Sequence, residues 1–259
     1  MNILFFGDIF AHPGRQAIKE YLPEFRKSNK LDLCIANCEN LSNGRGVSEK
    51  SIIEMQIAGV DIFSSGNHLY DQKDHLNFIN KSDIIAKPLN FPKAAFGAEY
   101  VKKCVNGAEM MLISLCGQSF MNHAVNSPVS TLEFFLDNSQ NLPKIIIVDF
   151  HAESTAEKRT LGYYFDGKIS AMLGTHTHIQ TADEEILDGG TAYITDVGMC
   201  GSHDSVIGIK KDIAIQKIRS GMPVKHEPAE SGLQINAIFL TINDLTGKAE
   251  KINRIKEKL

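Results

Sequence analysis

The sequence lacks any long apolar segment and any run of basic residues. A membrane-spanning helix needs roughly 20 consecutive apolar residues, and no part of the chain approaches that length. The opening sequence MNILFFGD is too short an apolar run for a signal peptide and leads directly into a charged residue. We therefore expect a cytoplasmic protein without membrane contact.

Neither a basic excess nor paired cysteines are present. The 27 lysines and arginines are outnumbered by 31 acidic residues, and a protein that grips long nucleic acid usually presents a basic face. We therefore expect no long nucleic acid as a partner. The five cysteines include no Cys-x-x-Cys pair, which is typical of reduced thiols in a cytosolic protein and argues against a cysteine-based zinc site.

Short apolar runs alternate with helical patterns in the first two thirds of the chain. The runs cover 3–6, 31–36, 60–63, 84–86, 110–115, 145–148 and 169–173. The helical patterns cover 14–29, 48–58, 71–80, 128–138 and 154–164. Most of the runs are continuous rather than alternating, as expected of strands buried on both faces.

The last third of the chain is richer in strands. Short strands are predicted around 186, 192–195 and 233–242, and the segment 200–232 is predicted to be mostly irregular. No repeat or linker divides the sequence, so we expect one domain over residues 1–259. This order of elements predicts an α/β fold, a layered α-β-β-α sandwich of two mixed sheets with the helices outside.

Polar residues follow five of the apolar runs, starting within two to four positions. They are Asp8, Glu39-Asn40, Asn67-His68, His151 and His176-Thr177-His178. Because the carboxyl ends of parallel strands line one edge of a sheet, we expect these side chains to share a cleft. A single Asp or His at a strand end is more often a cap or turn residue, but five such ends together favour a site.

The residue types favour a metal site. Carboxylate and amide oxygens with imidazole nitrogens suit Mn, Fe, Zn or Co better than a soft thiolate-seeking ion. The spacing of His176 and His178 would place them on one face of a regular strand, or at a strand end would let them splay onto adjacent ions. Gly174, just before them, permits a close approach of the backbone.

The motifs resemble those of the calcineurin-like metallophosphoesterases, and within them the YmdB-like family of bacterial phosphodiesterases. The similar segments are GDIFAHPGR (7–15), NCENLSNGRGV (37–47), SGNHLYD (65–71), DFHAESTAEK (149–158), GTHTHIQTAD (174–183) and TDVGMCG (195–201). The wider superfamily has Asp-x-His at the first strand, where this sequence reads Asp8-Ile9-Phe10, and Asp where it has Glu39. Both differences match the YmdB-like subgroup.

The resemblance implies a calcineurin-like metallophosphoesterase fold and two transition-metal ions, Fe or Mn, with Zn as an alternative. One ion would be held by Asp8, Glu39, Asn40 and His178. The other would be held by Asn67, His151 and His176, with Glu39 bridging both. His68 would be the catalytic proton donor.

The resemblance implies a phosphodiesterase for small phosphodiesters such as 2′,3′-cyclic nucleotides. A hydroxide between the ions would attack phosphorus in line, because paired ions lower the pKa of a shared water. Asp71 is a candidate partner for His68, and Asp149 or Glu153 is a candidate to orient His151. The resemblance also implies a homo-oligomer and gives no substrate-binding residue.

Three other functions stay open from the sequence. The first is a phosphomonoesterase or nuclease of the same superfamily. The second is a regulatory protein that binds a nucleotide at the metal site with little turnover, although a protein that only binds would not need His68. Metal-dependent amidohydrolases also carry a His-x-His pair, but they place it near the first strand, whereas His176 and His178 come late.

Overall fold

The first strand packs against a different hydrophobic core on each of its two faces. Side chains of a strand point alternately to its two faces. Phe5 faces the interior between two sheets, whereas Leu4 and Phe6 face a separate core beneath helices. A strand that buries both faces needs an apolar residue at every position, which explains the continuous run at 3–6.

The computed structural model describes residues 1–259. The strands are β1 Asn2–Ile9, β2 Leu33–Asn37, β3 Ile62–Ser64, β4 Val101–Val105, β5 Ala108–Cys116, β6 Ile145–His151, β7 Ala171–Thr175, β8 Glu185–Ile186, β9 Ala192–Ile194, β10 Met199–Ser202, β11 Leu233–Ile242 and β12 Ala249–Lys258. The helices are α1 Ala11–Ser28, α2 Glu49–Ala58, α3 Leu76–Lys81, α4 Pro128–Asn138, α5 Thr155–Tyr164 and α6 Lys211–Ser220.

The strands form two mixed sheets of six strands each. The first sheet has the order β12-β11-β10-β1-β2-β3, and the second has the order β4-β5-β6-β7-β9-β8. In the first sheet β1, β2 and β3 run parallel to each other. In the second, β5, β6 and β7 run parallel. The carboxyl ends of these parallel strands therefore collect at one edge of each sheet.

The two sheets share one buried layer. Ile35 of the first sheet and Leu112 and Ile147 of the second belong to the same fully buried cluster. Helices α1 and α2 cover the outer face of the first sheet, and α4 and α5 cover that of the second. The predicted α-β-β-α sandwich is confirmed. A single domain over 1–259 stays a prediction, and the shared layer is what such a domain requires.

The structure corrects several of the predicted elements. Residues 84–86 form only isolated bridges, to Phe63 and Ala98. Strands β4, β10 and β12 and helix α6 were not predicted, so the segment 200–232 is less irregular than expected. The helix predicted at 71–80 is reduced to α3 and a short 3₁₀ turn before it. Helix α1 continues through Pro23, although proline removes one backbone hydrogen bond. None of the helices has the length and apolarity needed to span a bilayer.

Candidate metal centre

The carboxyl ends of β1, β2, β3, β6 and β7 meet at a cleft of about 520 Å³. The side chains predicted to act together converge around it from both sheets. Glu39, Asn40, His68, His176 and His178 line the open cleft. Asp8 and His151 lie beneath them and are fully buried.

The first group of predicted ligands gathers around the amide of Asn40. Its Nδ2 lies 3.4 Å from Asp8 Oδ1 and 3.1 Å from Glu39 Oε1. The same nitrogen lies 3.0 Å from Nε2 of His178. Nδ1 of His178 donates to the carbonyl oxygen of Ile207 at 3.0 Å. This second contact fixes the proton on Nδ1 and leaves the lone pair of Nε2 facing the group.

The second group forms around His151. Its Nε2 lies 3.0 Å from Glu39 Oε2 and 3.0 Å from His176 Nδ1. Ligand atoms of Glu39, His151 and His176 all lie within 4.8 Å of one another, which is close enough to hold one ion. Glu39 therefore contacts both groups, one through each carboxylate oxygen, as the bridging position predicted for it requires.

Asn67 supplies the test of whether the site fits a cation. It is buried, and its Oδ1 atom has no hydrogen-bond partner. A buried carbonyl oxygen without a partner is costly, because it has lost its water and gained nothing in return. Two buried carboxylates nearby add to this demand for positive charge. The residues present therefore fit divalent metal ions.

Neighbouring Gly66 lets the β3 loop pass close beside the second group. A Cβ at this position would lie 2.2 Å from Glu39 Oε2 and 2.3 Å from His151 Cδ2. Only glycine allows the backbone to approach those two side chains so closely. Asn67 is the next residue in this loop.

Charges within the cluster shift several pKa values in opposite directions. Burial raises the pKa of Asp8 above its ordinary value, in spite of His151 and His178. Burial alone would raise the pKa of Glu39 as well, but His151 lowers it to about 2. His151 is buried too, yet Glu39 and Asp8 raise its pKa to about 9. The cluster thus favours positive charge beside its buried carboxylates.

Polar contacts behind the cluster fix the orientation of the histidines. Thr175 Oγ1 lies 2.8 Å from His151 Nδ1 and donates to Asp149 Oδ1 at 2.6 Å. Burial raises the pKa of Asp149 to about 6. Glu153, the other candidate partner for His151, instead lies 3.3 Å from Nε2 of His176. Asp149 therefore reaches His151 only through Thr175.

The segment with the two histidines has a strained backbone. His176 has φ +101° and His178 has φ +66°, a region that residues other than glycine seldom adopt. The amide of His176 donates to Asp8 Oδ2 at 3.1 Å, and the amide of Thr177 donates to Asp196 Oδ2 at 3.1 Å. These anchors turn the two imidazoles toward different groups instead of along one strand face.

His68 lies beside the cluster and faces the cleft. Its backbone amide donates to Glu39 Oε2 at 3.2 Å. Its Nδ1 lies 2.9 Å from Oδ2 of Asp71, the partner suggested by the sequence. With Nδ1 held in this way, Nε2 is the ring nitrogen left for proton transfer.

Sequence reasoning missed the residues at the mouth of the cleft. Arg45, Ile207 and His226 line it together with Phe10. The glycines around Arg45, in the segment NGRG, were a possible signal for an exposed turn. His226 and Ile207 lie in 200–232, where no periodic pattern marks either residue. The remaining histidines, His12, His75, His123 and His203, do not line the cleft.

A two-sheet sandwich with carboxylates, amides and histidines at its carboxyl edge is the arrangement of a metallophosphoesterase. The family model described as YmdB-like protein matches residues 4–255. The chain belongs to the YmdB-like family. This membership confirms the predicted family and the prediction of an enzyme that acts on phosphoric esters, and the family implies divalent metal ions.

Individual relatives agree over nearly the whole chain. A 2′,3′-cyclic-nucleotide 2′-phosphodiesterase of Bacillus subtilis is 40% identical over 257 residues, which cover 98% of this chain and 96% of that protein. A crystal structure of a novel phosphatase from Mycoplasma pneumoniae has a TM-score of 0.95 at 32% identity, covering 100% of this chain and 93% of that one. A hypothetical protein from Thermus thermophilus has a TM-score of 0.93 at 34% identity, covering 100% and 99%.

Proposed function

We propose that the protein is a dinuclear-metal phosphodiesterase that hydrolyses small phosphodiesters such as 2′,3′-cyclic nucleotides. The observation that carries this proposal is the convergence of two buried carboxylates with three histidines and the amide of Asn40, next to a loop in which the buried Oδ1 of Asn67 has no hydrogen-bond partner. The name of the Bacillus subtilis relative supports the substrate class.

The two groups of side chains would hold one ion each. We assign Asp8, Glu39, Asn40 and His178 to the first ion. We assign Asn67, His151 and His176 to the second, with Glu39 shared by both. The oxygen and nitrogen donors suit Fe or Mn, and Zn is also compatible with them.

Bound ions would supply Lewis acidity and an activated water at neutral pH. The chain contributes only two carboxylates, Asp8 and Glu39, so a site holding two divalent ions would keep a net positive charge at the floor of the cleft. An anionic phosphodiester is therefore drawn to the floor. The strained His176 and His178, anchored through Asp8 and Asp196, keep the donors in place before the substrate arrives.

His68 would protonate the oxygen of the leaving group. Its Nδ1–H donates to Asp71, which orients the ring, and the side chain reaches the open cleft. Ring opening of a cyclic nucleotide expels a sugar alkoxide, which is a poor leaving group unless it receives a proton. A donor at this position therefore acts on the step that an activated water alone leaves difficult.

We expect His68→Gln to lower kcat for 2′,3′-cyclic AMP by about 10²- to 10⁴-fold. The loss for bis-p-nitrophenyl phosphate should be much smaller, because p-nitrophenolate leaves without a proton. Steady-state kinetics on both diesters measure the difference, with His75→Gln, a histidine outside the cleft, as the matched control. An equal loss on both diesters would assign His68 to substrate binding instead of proton transfer.

The first experiment compares metal-dependent hydrolysis of 2′,3′-cyclic AMP, bis-p-nitrophenyl phosphate and p-nitrophenyl phosphate. We expect both diesters to be hydrolysed, the activity to disappear with a chelator, and Mn or Fe to restore it. Turnover of the monoester alone would favour a phosphomonoesterase. Two bound ions per chain with no turnover of any of the three would favour a nucleotide-binding regulatory protein.

The binding partner, the assembly state and the cellular location of the enzyme stay predictions. A small phosphodiester or nucleotide is the partner that the cleft suits. We also propose a homo-oligomer in the cytoplasm. Light scattering on the purified protein tests its assembly state.

A further inference from the structure

The loop between β10 and α6 holds one residue in an unusual conformation. Ile207 has φ +48°, although a side chain branched at Cβ strongly disfavours positive φ. Glycine or asparagine would occupy this conformation with less strain. An isoleucine here is therefore retained against its backbone preference, and such strain concentrates at functional sites.

Contacts around the loop keep Ile207 in this conformation. The backbone amides of Val206 and Ile209 each donate to the carbonyl oxygen of the other, at 2.8 and 3.0 Å. The amide of Gly208 donates to Ser205 Oγ at 2.9 Å. A Cβ on Gly208 would lie 2.5 Å from the ring of Phe10. The loop is thus closed on itself and packed tightly against Phe10.

The backbone carbonyl and the side chain of Ile207 contact different parts of the site. Its carbonyl oxygen accepts from Nδ1 of His178, a proposed metal ligand. Its side chain is 46% exposed and lines the cleft, together with Ile209 and Pro228. These three residues form an apolar wall of the cleft. The hydrogen bond from His178 to Ile207 joins this wall to the proposed metal ligands at the polar floor.

An apolar wall beside a polar floor suits a ligand that has both an apolar part and an anionic part. A phosphate alone would fill a small part of about 520 Å³ and would need no apolar wall. Polar side chains of Asn43, Arg45 and His226 line the same cleft. A nucleobase has apolar faces for the wall and a polar edge for such side chains. Its ribose phosphate would remain on the floor.

We propose that Ile207 is a specificity-determining residue, whose side chain packs against the base of a nucleoside cyclic phosphate. This inference rests on the proposed function, because the phosphodiester must lie over the metal groups for its base to reach the wall. Ile207 touches the substrate and not the reacting atoms. Its effect should therefore appear in KM and in the choice between substrates.

The test compares 2′,3′-cyclic AMP with methyl riboside 2,3-cyclic phosphate, which has the same ring and no base. For Ile207→Gly we expect the ratio of kcat/KM for the nucleoside to that for the riboside to fall by about 5- to 20-fold, the effect of losing most of one apolar side-chain contact. Ile207→Leu restores an apolar side chain and should recover most of the ratio. Ile215→Ala on α6, 52% exposed and outside the cleft, is the control.

Each outcome has a separate meaning. Glycine suits positive φ, so the melting temperature of Ile207→Gly should not fall, and a drop would assign Ile207 to stability. If both substrates are hydrolysed and the ratio is unchanged, the proposed role of Ile207 is wrong and the proposed function stands. If the wild type hydrolyses neither, the proposed function fails and the inference fails with it.

Discussion

Replacing Glu39 with glutamine should lower the hydrolysis of every phosphodiester by at least about 10³-fold. Glu39 contacts both groups with its carboxylate, through Oε1 to Asn40 and through Oε2 to His151. The substitution keeps the shape of the side chain and removes the charge. It therefore weakens both proposed ion sites at once, whereas loss of any other ligand weakens one.

Loss of metal can be separated from loss of the fold. The metal-free variant should melt below the metal-free wild type, because the substitution leaves buried His151 without the carboxylate that lies 3.0 Å from its Nε2, and circular dichroism at the assay temperature checks that the variant is folded. Addition of Mn should raise the melting temperature of the wild type and leave that of Glu39→Gln unchanged. Elemental analysis should find less than two ions per chain in the variant.

The matched control is Glu54→Gln. Glu54 pairs with Arg15 and Lys19 on the protein surface, away from the cleft. These partly buried pairs lie outside the cleft, so activity and metal content should stay near wild type. If Glu39→Gln keeps two ions and its activity, the assignment of Glu39 as the shared ligand is wrong.

The meeting of the strand-end side chains could be predicted because polar residues stand at the ends of apolar strands. β6 reads as one buried run that ends in His151, and β7 is followed at once by His176. A continuous apolar run indicates a strand buried on both faces, and parallel strands deliver their ends to one edge. The apolar run at 84–86 also predicted a buried strand. It is followed closely by Pro88, which has no backbone N–H to continue the hydrogen bonds between strands.

The missed elements lack a pattern in which one face is apolar. β12 reads AEKINRIKEK, and most of its side chains are exposed at the edge of the sheet. Charged edge strands of this kind prevent pairing with other chains, and they resemble loops in sequence. Helix α6 buries none of its residues. The spacing of its apolar residues does not mark one face of the helix as buried.

Contacts behind the cluster depend on tertiary structure. The hydroxyl of Thr175 joins Asp149 to His151 only after β6 and β7 have paired. The positive φ of Ile207 runs against the preference of its residue type, so local propensity predicts the opposite conformation. Sequence patterns predicted that the polar side chains at the strand ends come together. They could not predict which groups hold those residues in place.

A buried ion pair behind the histidine segment leads to the largest expected effect on stability. Lys158 of α5 and Asp196 each have 1% of their side chain exposed, and Lys158 Nζ lies 2.7 Å from Asp196 Oδ2. Lys158→Met should lower the free energy of unfolding by about 3–5 kcal/mol, because it leaves a charge buried without its partner. Urea unfolding of the metal-free protein measures the change.

The same pair should influence the metal site. Asp196 accepts from the amide of Thr177, which lies between the two strained histidines, and from the amide of Gly198 at 2.8 Å. An unpaired Asp196 favours states in which this segment moves toward water. We therefore expect Lys158→Met to weaken metal binding by about 10- to 100-fold, the range for a group that orients a metal ligand. Calorimetric titration with Mn measures the change.

A double-variant comparison separates the pair from its two members. Lys158→Met combined with Asp196→Asn removes both charges and keeps an oxygen for one amide donor, so it should regain part of the stability lost in Lys158→Met. Lys19→Met, at a lysine that is 44% exposed, should cost less than about 1 kcal/mol. If Lys158→Met costs no more than Lys19→Met, the backbone donors alone satisfy Asp196. The pair would then have no part in holding the histidine segment.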